Sequence, residues 1–112
     1  MVDVNKMLKI KYILNSPVLT SWGYYEFYEY TGDVNDLDLS NAVSAIGHES
    51  TAELLSQLLG ISIKMNRIKI QMRKGDIALV FTLHDRVEEG SILSYDTLQK
   101  YSYSLGILKQ MK

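Results

Sequence analysis

The hydrophobic pattern predicts an α+β domain, a mixed β-sheet with short helices packed on it, in one small unit spanning residues 1–112. Three observations carry that expectation. Apolar and polar residues alternate in several runs, other runs space their apolar residues as a helix would, and the two kinds are interspersed without a strict βαβ rhythm.

Leu8, Ile10, Tyr12 and Leu14 alternate with Lys9, Lys11 and Ile13, so the first element reads as a strand with at least one buried face. It stops at Asn15-Ser16-Pro17, because proline has no N–H for a ladder and the polar pair favours a turn. Tyr24 to Thr31, rich in Tyr and Phe, reads as a second strand closed by Gly32-Asp33. With Asp36 or Asp38 as N-cap, Leu39, Ala42, Val43 and Ile46 predict a short amphipathic helix that ends at Gly47. A second helix is expected from about Ser50 to Leu59, with Ser50 and Glu53 as a capping box and Gly60 as its stop. Leu54, Leu55, Leu58 and Leu59 share one of its faces. Gly47-His48-Glu49 is then the joint between two helices.

Period two returns at Ile61, Ile63 and Met65, and again at Ile68, Ile70 and Met72. The parity switches at Asn66-Arg67, which in one regular strand would put the two sets on opposite faces, so a turn or bulge is expected there. Lys74-Gly75-Asp76 reads as a hairpin turn into Ile77 to Leu83, whose apolar residues occupy both parities, as in a central strand covered on both sides. Asp85 to Gly90 reads as a polar loop, Ser94 to about Ser102 as a last short helix, and Leu105 to Met111 as a final strand.

Composition narrows the function classes. An apolar share of 46% with 22% charged residues is ordinary for a soluble globular domain. The chain has no Cys, which rules out a disulfide framework and a thiolate metal site and makes the cytosol the expected compartment. No apolar run reaches the length of a signal peptide or a membrane span, so no membrane partner is expected. A net charge of −1 argues against a broad basic face for long nucleic acid, whereas a few arginines suffice for a small anionic ligand. Gly-rich loops of the Walker or dinucleotide type are absent, which disfavours kinase-like and hydride-transfer chemistry.

His48 is the first candidate for chemistry. An isolated histidine in a joint is ordinarily a cap or a half-buried hydrogen-bonder. Three features favour a functional role: Gly47 before it, a helix N-terminus after it, and no apolar periodicity that would assign it to the core. Unpaired N–H groups and the positive end of the helix dipole at Ser50 and Thr51 would hold an anion beside the imidazole. His84, at the end of an apolar strand, is better read as structural, and two isolated histidines without matching carboxylates make no metal site. Arg86-Val87-Glu88-Glu89-Gly90 carries a fixed cation and two carboxylates, a run that is ordinarily a solvated turn. Arg67 sits where the strand pattern breaks, and its guanidinium suits bidentate phosphate binding. Trp22, Tyr24, Tyr25, Phe27, Tyr28 and Tyr30 could stack on bases, although sheet packing accounts for most of them.

Ala45-Ile46-Gly47-His48-Glu49-Ser50-Thr51, Asn66-Arg67, and Arg86-Val87-Glu88-Glu89-Gly90, together with Tyr12-Ile13-Leu14-Asn15, closely resemble the viral ring nuclease family of type III CRISPR inhibitors. The resemblance covers nearly the whole chain. It implies a homodimer that binds cyclic tetra-adenylate across its two-fold axis and cleaves it without metal or cofactor, switching off the defence nucleases that this messenger activates. It further implies His48 as general acid and Glu89 as a second catalytic group that positions His48 or the ribose hydroxyl, with Glu88 facing solvent. Asn15, Ser16, Gly47, Ser50, Thr51, Arg67 and Arg86 would be the ligand-binding set. The rival readings are a protein of the same shape that sequesters a cyclic nucleotide uncut, and a small DNA-binding module, which the charge balance supports poorly.

Overall fold

Tyr12–Asn15 and Ile77–Leu83 are runs whose side chains are apolar on both parities, and the computed structural model, which describes residues 7–83 and 103–112, places them side by side at the centre of a sheet. In chain order the strands are β1 (Leu8–Lys9), β2 (Tyr12–Asn15), β3 (Tyr25–Glu29), β4 (Leu37–Asp38), β5 (Val43–Ser44), β6 (Ile77–Leu83) and β7 (Tyr103–Gln110), and helix α1 spans Glu49–Leu59. Five strands form a mixed sheet in the order β3-β7-β6-β2-β5, while β1 and β4 make a small parallel pair beside it. β2 runs parallel to both β5 and β6, and β7 is antiparallel to both β6 and β3. The expected α+β architecture is therefore present as a mixed sheet with one α-helix among the described residues.

Alternation on the central strands divides the core in two. Ile13, Leu79, Phe81 and Ile107 face α1 and pack against Ala52, Leu54, Leu55 and Leu59. Leu14, Ala78, Val80 and Leu108 point to the other face, where Ile70 and Met72 cover them. Because Ala78 to Phe81 are all buried, β6 is the doubly covered strand its composition predicts.

The helix expected between Asp38 and Ile46 does not form. A 3-10 turn at Val34–Asp36, capped by Asp33, leads instead into β4 and β5. Asp38 does accept the amide of Ser40 at 3.1 Å and its hydroxyl at 2.6 Å, the local signature of a cap, but the chain turns and continues extended. Sheet pairing prevails over helical spacing here, since Val43 and Ala45 donate their amides to the carbonyls of Lys11 and Ile13 at 2.8 and 2.9 Å. The joint ahead of α1 is therefore strand-to-helix, not helix-to-helix. Nor does the Ser50 and Glu53 capping box exist, because α1 starts earlier and His48 is its N-cap residue. Its far end is as expected, with Gly60 left-handed at φ 72°.

Residues 61 to 72 form no ladder, so neither the period-two strand nor a true hairpin at Gly75 is present. The parity switch nonetheless has a physical meaning. Ile63 is buried on the α1 face and Ile70 and Met72 on the opposite face, so the segment passes around the β5 edge of the sheet. A tight turn at Asn66-Arg67, closed by the Ile68 amide on the Asn66 carbonyl at 3.1 Å, makes that passage. Ser56 pins its start, its Oγ accepting the Ile63 amide at 2.8 Å. The first expected strand is split into β1 and β2 around Ile10 and Lys11, while the final one is longer than expected. The loop at 85–90 and the helix at 94–102 lie outside the described residues.

Leu55 is fully buried between α1 and the sheet, so Leu55→Ala should cost about 2–5 kcal/mol in denaturant unfolding. The Ser40 hydrogen bonds, reinforced by the charge of Lys9, hold the Asp38 carboxyl below its usual range. A carboxyl depressed in this way favours the fold above its unfolded pKa, and the benefit fades as pH falls through the folded value. In Ser40→Ala, the Asp38 titration followed by NMR should move up toward the ordinary carboxylate range.

Candidate functional site

The three parallel strands end together. Asn15 closes β2 opposite Phe81 of β6, and the pairing of Ile13 with Ser44 brings the exit from β5 to the same end of the sheet. Ligand sites in sheets with parallel strands gather at their carboxyl ends, where loops are free to carry side chains.

Gly47, His48 and the first turn of α1 leave β5 at this end. His48 has an extended backbone (φ −128°, ψ 129°), and no described side chain caps the helix. The amides of Glu49, Ser50 and Thr51 accordingly make no hydrogen bond among the described residues, and the first helical bond is Ala52 N–H to the His48 carbonyl at 3.0 Å. Three N–H groups without a described partner at the positive end of an 11-residue helix would favour an anion. The His48 side chain is exposed and bonds no described residue, Ser50 is half-buried, and Thr51 is buried against the core.

Arg67 reaches this turn from a segment distant in sequence. Its Nε donates to the Gly47 carbonyl at 2.9 Å. The neighbouring Asn66 secures the approach: its amide donates to the Ile46 carbonyl and its Nδ2 to the Ser44 carbonyl, each at 2.8 Å. Gly47 does not adopt a left-handed conformation, and a methyl group there would meet Arg67 Cγ at an ordinary 3.7 Å. Glycine at this position is thus not demanded by the backbone, as it would be at the helix end expected there.

Asn15 and Ser16 are exposed at the end of β2. Ser16 is the non-glycine residue with positive φ among the described residues, at 78°, and it precedes a proline, which further restricts its backbone. Its amide is held by the Phe81 carbonyl at 2.9 Å. The structure thus gathers Gly47, His48, Ser50, Thr51 and Arg67 around one turn and sets Asn15 and Ser16 at the same end of the sheet. Arg86, Glu88, Glu89 and His84 lie outside the described residues. The anchoring role of Asn66 escaped sequence reading, although a polar residue at a parity break was its signal. Displaced titration marks other places: burial, reinforced by Asp36 and Asp33, pushes Tyr30 up, and Tyr30 follows β3 at the opposite edge of the sheet.

The STIV B116-like family profile matches residues 11–105, a span that includes Asn15, the 47–51 turn and Arg67. The chain belongs to the STIV B116-like family. It is 36% identical to the uncharacterized protein YddF of Bacillus subtilis over 88% of this chain and 94% of that one. It is also 34% identical to the uncharacterized protein ORF116 of Acidianus filamentous virus 1, over 80% of this chain and 82% of the relative. The solved structure of B116 of Sulfolobus turreted icosahedral virus shares the fold, with a TM-score of 0.69 at 24% identity, over 90% of this chain and 99% of that one. Members of the family therefore occur in viruses and in a bacterium. No helix among the described residues is long and apolar enough to cross a membrane.

A left-handed non-glycine residue costs about 1–2 kcal/mol. Ser16→Gly should therefore raise unfolding stability by about 1 kcal/mol in a chemical melt.

Proposed function

We propose that this chain is a metal-independent ring nuclease that binds cyclic tetra-adenylate and cleaves it to linear products ending in 2′,3′-cyclic phosphate, thereby silencing type III CRISPR signalling in the host cytoplasm. The observation that carries the reading is the turn at His48. An exposed imidazole stands at the N-terminus of α1, which no described side chain caps, with the Arg67 guanidinium tied to the Gly47 carbonyl at 2.9 Å.

A 3′,5′-linked RNA ring carries its own nucleophile, because each 2′-hydroxyl can attack the adjacent phosphorus in line. The new O2′–P bond forms as the P–O5′ bond breaks, and the 2′-hydroxyl proton passes to solvent water. What the protein must supply is geometry, stabilisation of charge on the phosphoryl oxygens, and a proton for the departing 5′-oxygen. The amides of Ser50 and Thr51 and the guanidinium of Arg67 would meet the phosphoryl oxygens. His48 would donate the proton, imidazole being the side chain most often used as a general acid. Glu89 and Arg86 complete the proposal, the first positioning His48 or the ribose hydroxyl and the second adding a cation. A ring of four nucleotides contains a two-fold axis, as does an isologous dimer, so a homodimer would present two copies of His48 to one ring. Pairing would also double the number of arginines around a tetra-anion on a chain of net charge −1.

The test is incubation of the purified protein with cyclic tetra-adenylate in EDTA. Linear products with 2′,3′-cyclic phosphate ends are expected, and His48→Ala should slow turnover by ~10²–10⁴ while retaining much of the binding. An intact ring that elutes with the wild-type protein would replace the enzyme by a sequestering protein. Undiminished cleavage by His48→Ala would remove the general-acid role.

A further inference from the structure

The chain that leaves β2 and returns as β3 is turned inside out. Because β3 runs parallel to β2, with β7 and β6 between them, residues 16–24 must cross a face of the sheet, and they cross the one away from α1. Polar groups hold the crossing down. Thr20 Oγ1 accepts the Met72 amide at 2.9 Å, the Tyr25 hydroxyl donates to the Ser21 carbonyl at 2.8 Å, and the buried Gln110 donates its Nε2 to Ser21 Oγ at 3.3 Å. The apolar side chains are left to solvent: Val18 is exposed, Leu19 by 65% and Tyr24 by 72%, and Trp22 touches nothing at 100%. A loop that only had to span the sheet would bury such residues and expose its Thr and Ser.

Cations frame this apolar tip. Met72, bonded to Thr20, belongs to the stretch 68–74, which carries Lys69, Arg73 and Lys74, all exposed, and no carboxylate. Lys69 lines the same cleft as Val18 and Leu19. At the β3 end of the crossing, the Lys112 carbonyl accepts the Tyr24 amide at 3.3 Å, and its Nζ stands 5.8 Å from the centre of the Tyr24 ring. The neighbouring acids do not offset this charge. Asp76 is paired with Lys11 at 3.3 Å, and Glu26 stands on the other face of the sheet from Tyr25, beside Lys109. Four cations around exposed Trp, Leu and Tyr are a local concentration on a chain whose net charge is −1.

We propose that this face rests on an anionic lipid bilayer, with Trp22 and Leu19 entering the boundary between headgroups and acyl chains and the four cations lying among the headgroups. Trp and Tyr suit that boundary because each joins an apolar ring to a polar N–H or O–H, and lysines beside them are drawn to the negative surface. Contact of this kind needs an apolar tip beside cations, not a run of spanning length. Other occupants fit less well. A fully exposed tryptophan lines no groove for a peptide, a second copy docked face to face would double the cations at the contact, and the aliphatic Val18 and Leu19 give a nucleobase nothing to stack on. Lipid binding here is independent of the reaction at His48.

Trp22 is the single tryptophan of the chain, so its fluorescence reads the tip alone. The full chain is titrated with vesicles of phosphatidylcholine mixed with phosphatidylglycerol and, in parallel, with vesicles of phosphatidylcholine alone, and binding is also measured by co-sedimentation. The mixed vesicles should shift the emission to the blue and carry the protein down, and added salt should release it. Trp22→Ala, which has no packing to lose, should weaken co-sedimentation about tenfold. Lys69→Gln and Lys74→Gln should each weaken it about fivefold. Unchanged emission without co-sedimentation would overturn the proposal, as would equal binding to the two kinds of vesicle or equal binding by Trp22→Ala and wild type. Capture of a single-stranded oligonucleotide in place of vesicles would give the face to nucleic acid. A doubled mass in light scattering that Trp22→Ala abolishes, again without vesicle binding, would give it to a second copy, and either result removes the bilayer.

Discussion

Parallel pairing of β2 with β5 on one side and β6 on the other is the constraint from which the rest of the molecule follows. A strand of four residues supplies both ladders, and every residue of it is used: Ile13 and Leu14 bury on opposite faces while Asn15 emerges at the end. Because all three strands point the same way, their exits lie together, and the loops that carry polar residues are gathered without any of those residues having to direct folding. The antiparallel strands β7 and β3 extend the sheet on the far side of β6, and β7 contributes Ile107 and Leu108 to the two halves of the core.

A second dependency runs through the 61–72 segment. Having left α1 at Gly60, the chain covers one face with Ile63, rounds the β5 edge at Asn66-Arg67 and covers the other face with Ile70 and Met72. This passage also protects a two-residue edge strand, whose Ser44 hydroxyl and carbonyl are both engaged, with Lys64 and Asn66 respectively. Bringing Arg67 to Gly47 is thus a by-product of closing the sheet edge, which gives the guanidinium a rigid base in place of a mobile loop.

Stability is given up at the same end of the sheet. No described side chain caps the α1 N-terminus, and Ser16 holds a left-handed backbone before proline. Both are departures from local preference that cooperative packing elsewhere sustains, and such departures concentrate where a protein meets its ligand. The opposite terminus of α1 shows no such concession, with Gly60 in the favoured left-handed cap.

Sequence alone determined whatever is written in local period and strong punctuation. The α1 helix with its leucine face and Gly60 stop, the doubly buried β6, the turn after Asn15 and the break at Asn66-Arg67 were all legible, because each depends on neighbours a few residues away. Only the tertiary structure decided between competing local signals. Leu39, Ala42, Val43 and Ile46 fit a helix as well as they fit a turn and a strand, and the carbonyls of Lys11 and Ile13, more than thirty residues back from Val43 and Ala45, settled the choice. The same holds for the candidate site. His48, Ser50 and Thr51 could be singled out from one short stretch, but the bond from Arg67 to Gly47 and the anchoring by Asn66 follow from the chain rounding a sheet edge, which no local pattern encodes.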